Sequence, residues 1–180
     1  MRLLFILPFA AVLCLSPPAL AQAPQPAGDW QVCFTPEEEC TQKLVGTLRQ
    51  ARRSILVQAY SFTSAPIARA LVDARRRGVE VEVILDHSQQ TEKYSSADYL
   101  SRSGIPTLID AEHAIAHNKV MIIDEETVVT GSFNFTRAAQ QHNAENLLII
   151  RDAALAQRYF ANWRLHREHS QPYQRSRNSR

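Results

Sequence analysis

The sequence predicts an α/β protein, a three-layer α/β/α sandwich around a mixed central sheet. Three observations carry that prediction. Apolar strand-like runs alternate with helical stretches from about residue 54 to residue 166, the pattern of a sheet covered by helices. Two of the runs, 117–124 and 127–131, are joined by the short polar turn "DEE", and such a hairpin makes the sheet mixed rather than purely parallel. With 180 residues, 45% hydrophobic and 21% charged, the chain suits one domain with its own core.

The elements follow in order. Residues 1–21, "MRLLFILPFAAVLCLSPPALA", carry one Arg, an apolar run and Ala19-Leu20-Ala21, which together read as a cleaved secretory signal. A membrane anchor is the competing reading, but the apolar run over 3–15 is short for a bilayer and Pro17-Pro18 breaks it. Leu13 stands before Cys14 where a lipid-modified cysteine would need a small residue. Export predicts a periplasmic or secreted protein. Cys14 leaves with the signal, so Cys33 and Cys40 remain, and an oxidising compartment favours a disulfide between them over a two-cysteine metal site. Closing that short loop is worth about 2–3 kcal/mol. Residues 22–34, rich in Pro, Gln and Ala at the start, read as a flexible leader, followed by a catalytic domain over 35–168 and a basic tail over 169–180.

Within the domain, "TPEE" at 35–38 reads as a capping box opening a helix to about Arg53. "SILVQAYSF" (54–62) reads as a buried strand. A helix over 66–77 follows, with Ile67, Ala70, Leu71 and Ala74 on one face and Gly78 as its stop. "VEVEVILD" (79–86) alternates as a strand does. A short helix over 95–102, the strand "IPTLID" and a loop lead into the hairpin of 117–131. A short helix after Asn134, the strand "NLLII" (146–150) and a helix capped by Asp152, running to about His166, complete the fold.

Net charge is +2, or +1 without Arg2, so no overall cationic field is present. Affinity for a polyanion must come from local clusters such as Arg75, Arg76 and Arg77, or the tail arginines Arg164, Arg167, Arg175, Arg177 and Arg180. Both clusters read more simply as a solvated helix end and a frayed terminus.

Chemistry concentrates in "HNKVMIIDEETVVTGSFNFT", residues 117–136. On a strand, alternate side chains share a face, so His117 and Lys119 point the same way while Asp124 has the opposite parity. Ser132 and Asn134 lie two apart just past the partner strand, and Glu145 precedes the last strand. A histidine supplies a nucleophile or acid–base group, Lys and Asn a charge and a dipole for an anion, Ser a further donor. A phosphate diester fits such donors. No HExxH and no dense Asp/Glu cluster near the motif suggests a divalent ion, so the reading is of a site with no metal and no cofactor.

The string "HNKVMIID…GSFNFT" resembles the H-x-K-x4-D-x6-G-S-x-N motif of the phospholipase D superfamily, and "NAENLLII" is similar to that family's glutamate and strand. Among its members the chain looks most like the small, single-motif secreted bacterial endonucleases. The resemblance implies a phospholipase D/nuclease-like fold. It implies His117 as nucleophile through a phosphohistidine, Lys119 and Asn134 on the phosphate oxygens, Ser132 supporting them, and Glu145 orienting His117. Asp124 and Gly131 are then structural members of the motif.

That mechanism uses two histidines, and the chain carries one copy of the motif. His87, His113 and His142 are followed two places on by Gln89, Ile115 and Ala144, and His166 and His169 fail likewise. The second histidine must come from another subunit, which predicts a homodimer with one composite site. His113 reads as a loop residue. Phe133 and Phe135 read as core, and the role of Tyr60, Ser61 and Phe62 stays open.

The expected activity is hydrolysis of nucleic acid, mainly DNA, with RNA a second candidate substrate. The alternative is a phospholipase D acting on phospholipid head groups. Little chain is left for a lipid-chain pocket, and no amphipathic membrane helix is evident, so no stable membrane association is expected. A catalytically silent binding protein would be marked by loss of His117 or Lys119, and both are present.

Overall fold

The computed structural model describes residues 29–174. The signal reading of residues 1–21 and the tail arginines Arg175, Arg177 and Arg180 lie outside the described residues.

Strands β1 (Trp30–Thr35), β2 (Ser54–Ala59), β3 (Glu80–Asp86), β4 (Thr107–Asp110), β5 (Lys119–Ile123), β6 (Thr127–Gly131), β7 (Glu145–Arg151) and β8 (Gln171–Pro172) form one sheet in the order β1-β7-β6-β5-β2-β3-β4-β8. β2, β3 and β4 are parallel, and every other neighbouring pair is antiparallel. The sheet is therefore mixed, as the hairpin required. Helices α1 (Cys40–Gln50), α2 (Ala65–Arg76), α3 (Ala97–Arg102), α4 (Arg137–Gln141) and α5 (Ala153–His169) complete the described elements, with a 3-10 turn at His87–Gln90.

Two cores sandwich the sheet. On one face, Leu44, Leu48, Ile67, Leu71 and Leu100 from α1, α2 and α3 pack on Ile55, Val57, Val83, Leu85 and Met121. On the other, Ala156 and Trp163 of α5, with Leu155, Tyr159 and Phe160, cover Ile84, Val120, Ile122 and Val128. Val120 and Met121, adjacent on β5, go to opposite cores, as the period of two demands. Both faces of the central strands are thus dry, which is why those strands read as continuous apolar runs.

Three boundaries differ from the sequence reading. Residues 30–35, assigned to the flexible leader, are strand β1, paired residue by residue with β7 from Trp30↔Ile150 to Thr35↔Glu145. Its inward Cys33 is bonded to Cys40 at a Cα separation of 5.6 Å, so β1 is tied to the start of α1. Second, "TPEE" does not open a helix. Thr35 Oγ1 donates to the Asn143 carbonyl at 3.0 Å, and α1 starts at Cys40 after Glu39, with no side-chain cap. The β1–β7 pairing holds Thr35 extended and removes it from capping. Third, the assigned tail at 169–180 is not all tail: His169 ends α5 and β8 pairs with β4 through Ile109↔Gln171. Among the described residues no helix is long and apolar enough to cross a membrane.

Candidate active site

Strand direction sorts the chemistry. β2, β3, β4, β6 and β1 end, and β5, β7 and β8 begin, at the same edge of the sheet. His117, Lys119, Ser132, Asn134 and Glu145 all belong to that edge, outside the carboxyl ends of the parallel strands where open α/β sheets bind ligands. Asp124 is at the opposite edge.

His117 is exposed, but its backbone is held from both sides. Before it, the buried Asp86 at the end of β3 accepts from the Ala116 amide at 2.8 Å and the Ser88 amide at 2.9 Å. Burial would raise the Asp86 carboxyl, but these bonds outweigh it and hold the pKa below the ordinary value. After it, the Asn118 carbonyl accepts from the Tyr60 amide at 2.7 Å. The imidazole rests on the Tyr60 ring, centroids 4.6 Å apart and planes inclined by 54°.

Lys119 opens β5 opposite Ala59 and is only 6% exposed. Its Nζ donates to the His117 carbonyl at 3.0 Å and sits 5.1 Å from the Tyr60 ring centroid. Burial pushes the ammonium pKa down, and the Glu145 carboxylate pushes it partly back up. The site therefore holds a costly, incompletely compensated cation, which suits an incoming anion.

Gly131 makes the other half of the edge possible. Its φ is +139°, and a Cβ there would stand 2.2 Å from the Asn146 carbonyl oxygen. That close approach lets the Ser132 and Phe133 amides both donate to Asn146 O at 3.1 Å. In return the Asn146 amide and Nδ2 donate to Ser132 Oγ at 3.0 and 3.3 Å. With its oxygen so engaged, the Ser132 hydroxyl hydrogen is free to point at a ligand. Phe133 and Phe135 are fully buried, as the sequence suggested, and throw Asn134 to the opposite side. Its Oδ1 is enclosed and makes no hydrogen bond among the described residues.

Glu145 begins β7 and accepts from Asn143 Nδ2 at 2.9 Å. The resemblance assigned it to orienting His117, but within the described chain no hydrogen bond joins the two. Its charge bears on Lys119 instead, and the group contacting the His117 ring is Tyr60.

Comparison with known proteins fits this geometry. A family model described as cardiolipin synthase, PLD-like domain, matches residues 44–164, two thirds of the chain. The chain belongs to the phospholipase D superfamily of phosphodiesterases. A phospholipase D of Rickettsia bellii is 47% identical over 131 residues, covering 73% of this chain and 65% of that protein, so the chain spans a little under two thirds of that relative. Among solved structures, the phospholipase D family member Nuc from Salmonella typhimurium aligns with TM-score 0.77 and 39% identity, over 82% of this chain and 98% of the other. NucT from Helicobacter pylori aligns with TM-score 0.75 and 26% identity, over 80% and 98%. The sandwich with a mixed sheet is thus the phospholipase D fold.

In this member of the superfamily Asp124 is an anchor by geometry. It sits at φ 54° at the tip of the β5–β6 hairpin, and its carboxylate accepts from the amides of Arg53 (2.7 Å), Ser54 (3.0 Å) and Arg52 (3.0 Å). Sequence reasoning missed Asp86 and Asn146, and left Tyr60 open. Nothing local in "ILDH" or "ENLL" marks the first two, since the Ala116 amide that Asp86 binds and the Ser132 hydroxyl that Asn146 binds lie 30 and 14 residues away.

Proposed function

We propose that the protein is a nonspecific endonuclease, acting mainly on DNA through a phosphohistidine in a dimeric composite site, without a metal in the chemical step. The observation that carries the phosphodiesterase part is the pairing of exposed His117 with buried, under-compensated Lys119, both against the Tyr60 ring. Lys119, the Ser132 hydroxyl and the Asn134 amide supply donors for the non-bridging oxygens of a diester. A neutral imidazole of His117 attacks phosphorus, forming the P–N bond as the P–O bond to the leaving group breaks. The departing oxygen takes its proton from the second imidazolium, supplied by the partner copy's motif. Water then loses a proton to that imidazole, attacks phosphorus and releases His117.

A nucleic-acid substrate is favoured by a groove of about 280 Å³ lined by Arg69, Tyr94, Tyr99, Thr63 and Ser96, in which Tyr94 is 70% and Tyr99 44% exposed. Its wall is tied to the site, because the Thr63 and Ser64 amides donate to the Phe135 carbonyl, next to Asn134. Exposed tyrosines beside an arginine suit stacked bases and their phosphates. A phospholipase D acting on lipid head groups is the second reading, supported by the name of the Rickettsia relative and by Ile115, 56% exposed two residues before His117. A secreted location fits the Cys33–Cys40 disulfide.

The deciding experiment runs plasmid DNA, RNA and phosphatidylcholine vesicles in parallel, with and without excess chelator. DNA cleavage that survives chelation, and is lost in His117→Ala, is expected. Head-group release without DNA cleavage would replace the substrate assignment, and activity absolutely dependent on added Mg²⁺ would overturn the mechanism.

A further inference from the structure

A second polar cluster lies beyond the phosphodiesterase residues. Asp110, the last residue of β4, is fully buried and is surrounded by three histidines. His166 Nδ1 is 2.7 Å from Asp110 Oδ2, while His169 Nε2 and His113 Nδ1 are 3.2 and 3.6 Å from Oδ1. The three rings stand together, with centroids 5.0, 5.5 and 5.4 Å apart. One ligand-capable atom from each of the four residues lies within 4.8 Å of the other three.

Hydrogen bonding alone accounts poorly for this. A carboxylate bonded to one imidazole is common, but three imidazoles on one buried carboxylate crowd donors that compete for two oxygens. One oxygen already takes the Glu112 amide at 3.1 Å. Among the described residues His169 Nε2 is enclosed and makes no aligned hydrogen bond, despite its 3.2 Å approach to Asp110. Atoms converging on a common point behave this way. Tetrahedral ligands at about 2.0–2.1 Å from zinc are separated from one another by roughly 3.3–3.4 Å. The 3.2 and 3.6 Å separations already bracket that edge, and small rotamer adjustments would close the rest. Three imidazoles and one carboxylate form a donor set for a borderline first-row ion, zinc above all, and not for Mg²⁺ or Ca²⁺.

We propose that Asp110, His113, His166 and His169 bind one zinc-class divalent ion as a structural clamp. The ligands come in two pairs, each three residues apart. His166 and His169 share a face at the end of α5, and Asp110 and His113 straddle the exit of β4. The ion would join the C-terminal helix to the loop that reaches His117 four residues after His113. It lies off the set that faces the scissile phosphate, so it adds to the nuclease reading without supplying a metal to its chemistry.

The test uses the whole mature protein, stripped with chelator and then titrated with Zn²⁺ by calorimetry, with metal content measured after gel filtration. One zinc per chain is expected. The melting temperature should rise by about 5–10 °C when free zinc is about 100 times Kd. His169→Gln and His113→Gln should each weaken binding by at least about tenfold while keeping the apo fold by circular dichroism. His117→Ala should bind zinc unchanged. Absence of stoichiometric binding by the folded wild type, or loss of zinc in His117→Ala with retention in His169→Gln, would overturn the proposal. Zinc content and melting temperature are read without substrate, so failure here is separable from failure of the nuclease assignment.

Discussion

The motif aspartate offers a sharp separation of structure from catalysis. Asp124→Asn keeps a side chain that tolerates the left-handed backbone at φ 54°. It removes the negative charge that three amides share at 2.7–3.0 Å, and turns an NH₂ donor toward one of them, the Arg52 amide. Hydrogen bonds to a charged group are worth about 1.5–3 kcal/mol each, neutral ones about 0.5–1.5. The site is partly solvated, so the loss from three such bonds is discounted to about 2 kcal/mol in total. For a chain of this size that is a fall of about 4–8 °C in melting temperature. Turnover per folded molecule at 25 °C should stay within about twofold, because Asp124 and the His117 edge lie at opposite ends of β5. Acid dependence supplies a second check. Burial would raise the Asp124 carboxyl, but the Ser54, Arg53 and Arg52 amides and the Arg53 charge outweigh it, leaving the folded pKa below the ordinary value. Its contribution is therefore complete above about pH 3.9–5 and is lost as pH falls through the folded pKa. The gap between wild type and variant, followed by thermal melts, should narrow on acidification below about pH 4. A variant that melts like wild type yet loses a thousandfold in turnover would refute the anchoring argument.

Three further outcomes are expected. Gly131→Ala places a Cβ 2.2 Å from the Asn146 carbonyl at a φ of +139°, and should cost at least about 2–3 kcal/mol in denaturant unfolding; a neutral result would show that the β6–β7 approach is not tight. Tyr60→Ala should lower kcat about tenfold or more by freeing the His117 ring, with Tyr60→Phe restoring most of it and circular dichroism unchanged; equal loss in both would point to the hydroxyl instead of ring contact. Burial lowers the Lys119 pKa, so phosphate binding should fail at a pH below that of an ordinary lysine, about 10.4. Between those two values the unfolded chain holds a proton the folded chain lacks, so this group alone makes stability rise with pH. Glu145→Gln should move the alkaline limb of kcat/KM to lower pH, and a shift upward would contradict the coupling of Glu145 to Lys119.

What was legible in the sequence followed from local period and spacing. β2, β3 and the β5–β6 hairpin announce themselves through apolar runs and a polar turn, and the spacing of the motif names its own residues. What was illegible depended on distant backbone partners. β1 is six residues long and alternates weakly, and it becomes a strand only because β7 offers an open edge. Thr35 has a cap's identity but is recruited by the Asn143 carbonyl, 108 positions away. Asp110 and His166 are separated by 56 positions, so their contact has no local signature. The pairs Asp110/His113 and His166/His169 do share a spacing of three, which was the only hint available.

The two ends of the sheet then perform different physical tasks. At the Asp124 end, charge is spent on backbone amides that would otherwise lack partners, and Arg53 closes the same turn through Glu126 at 2.9 Å. At the His117 end the balance is left open: Lys119 is buried without full compensation, and among the described residues Asn134 Oδ1 has no partner and the Ser132 hydrogen is unspent. An anion would satisfy the Lys119 ammonium and the Ser132 hydroxyl together, whereas Asn134 Oδ1 is an acceptor and calls for a donor. His117, the proposed nucleophile, is exposed, as is Ser132, and Ile115 beside it is more than half exposed. A phosphohistidine so open would meet bulk water on the side away from Tyr60. In the proposed dimer, the partner's edge would supply both the acid and the cover, so the exposure of His117 in one chain is the shape expected of half a site.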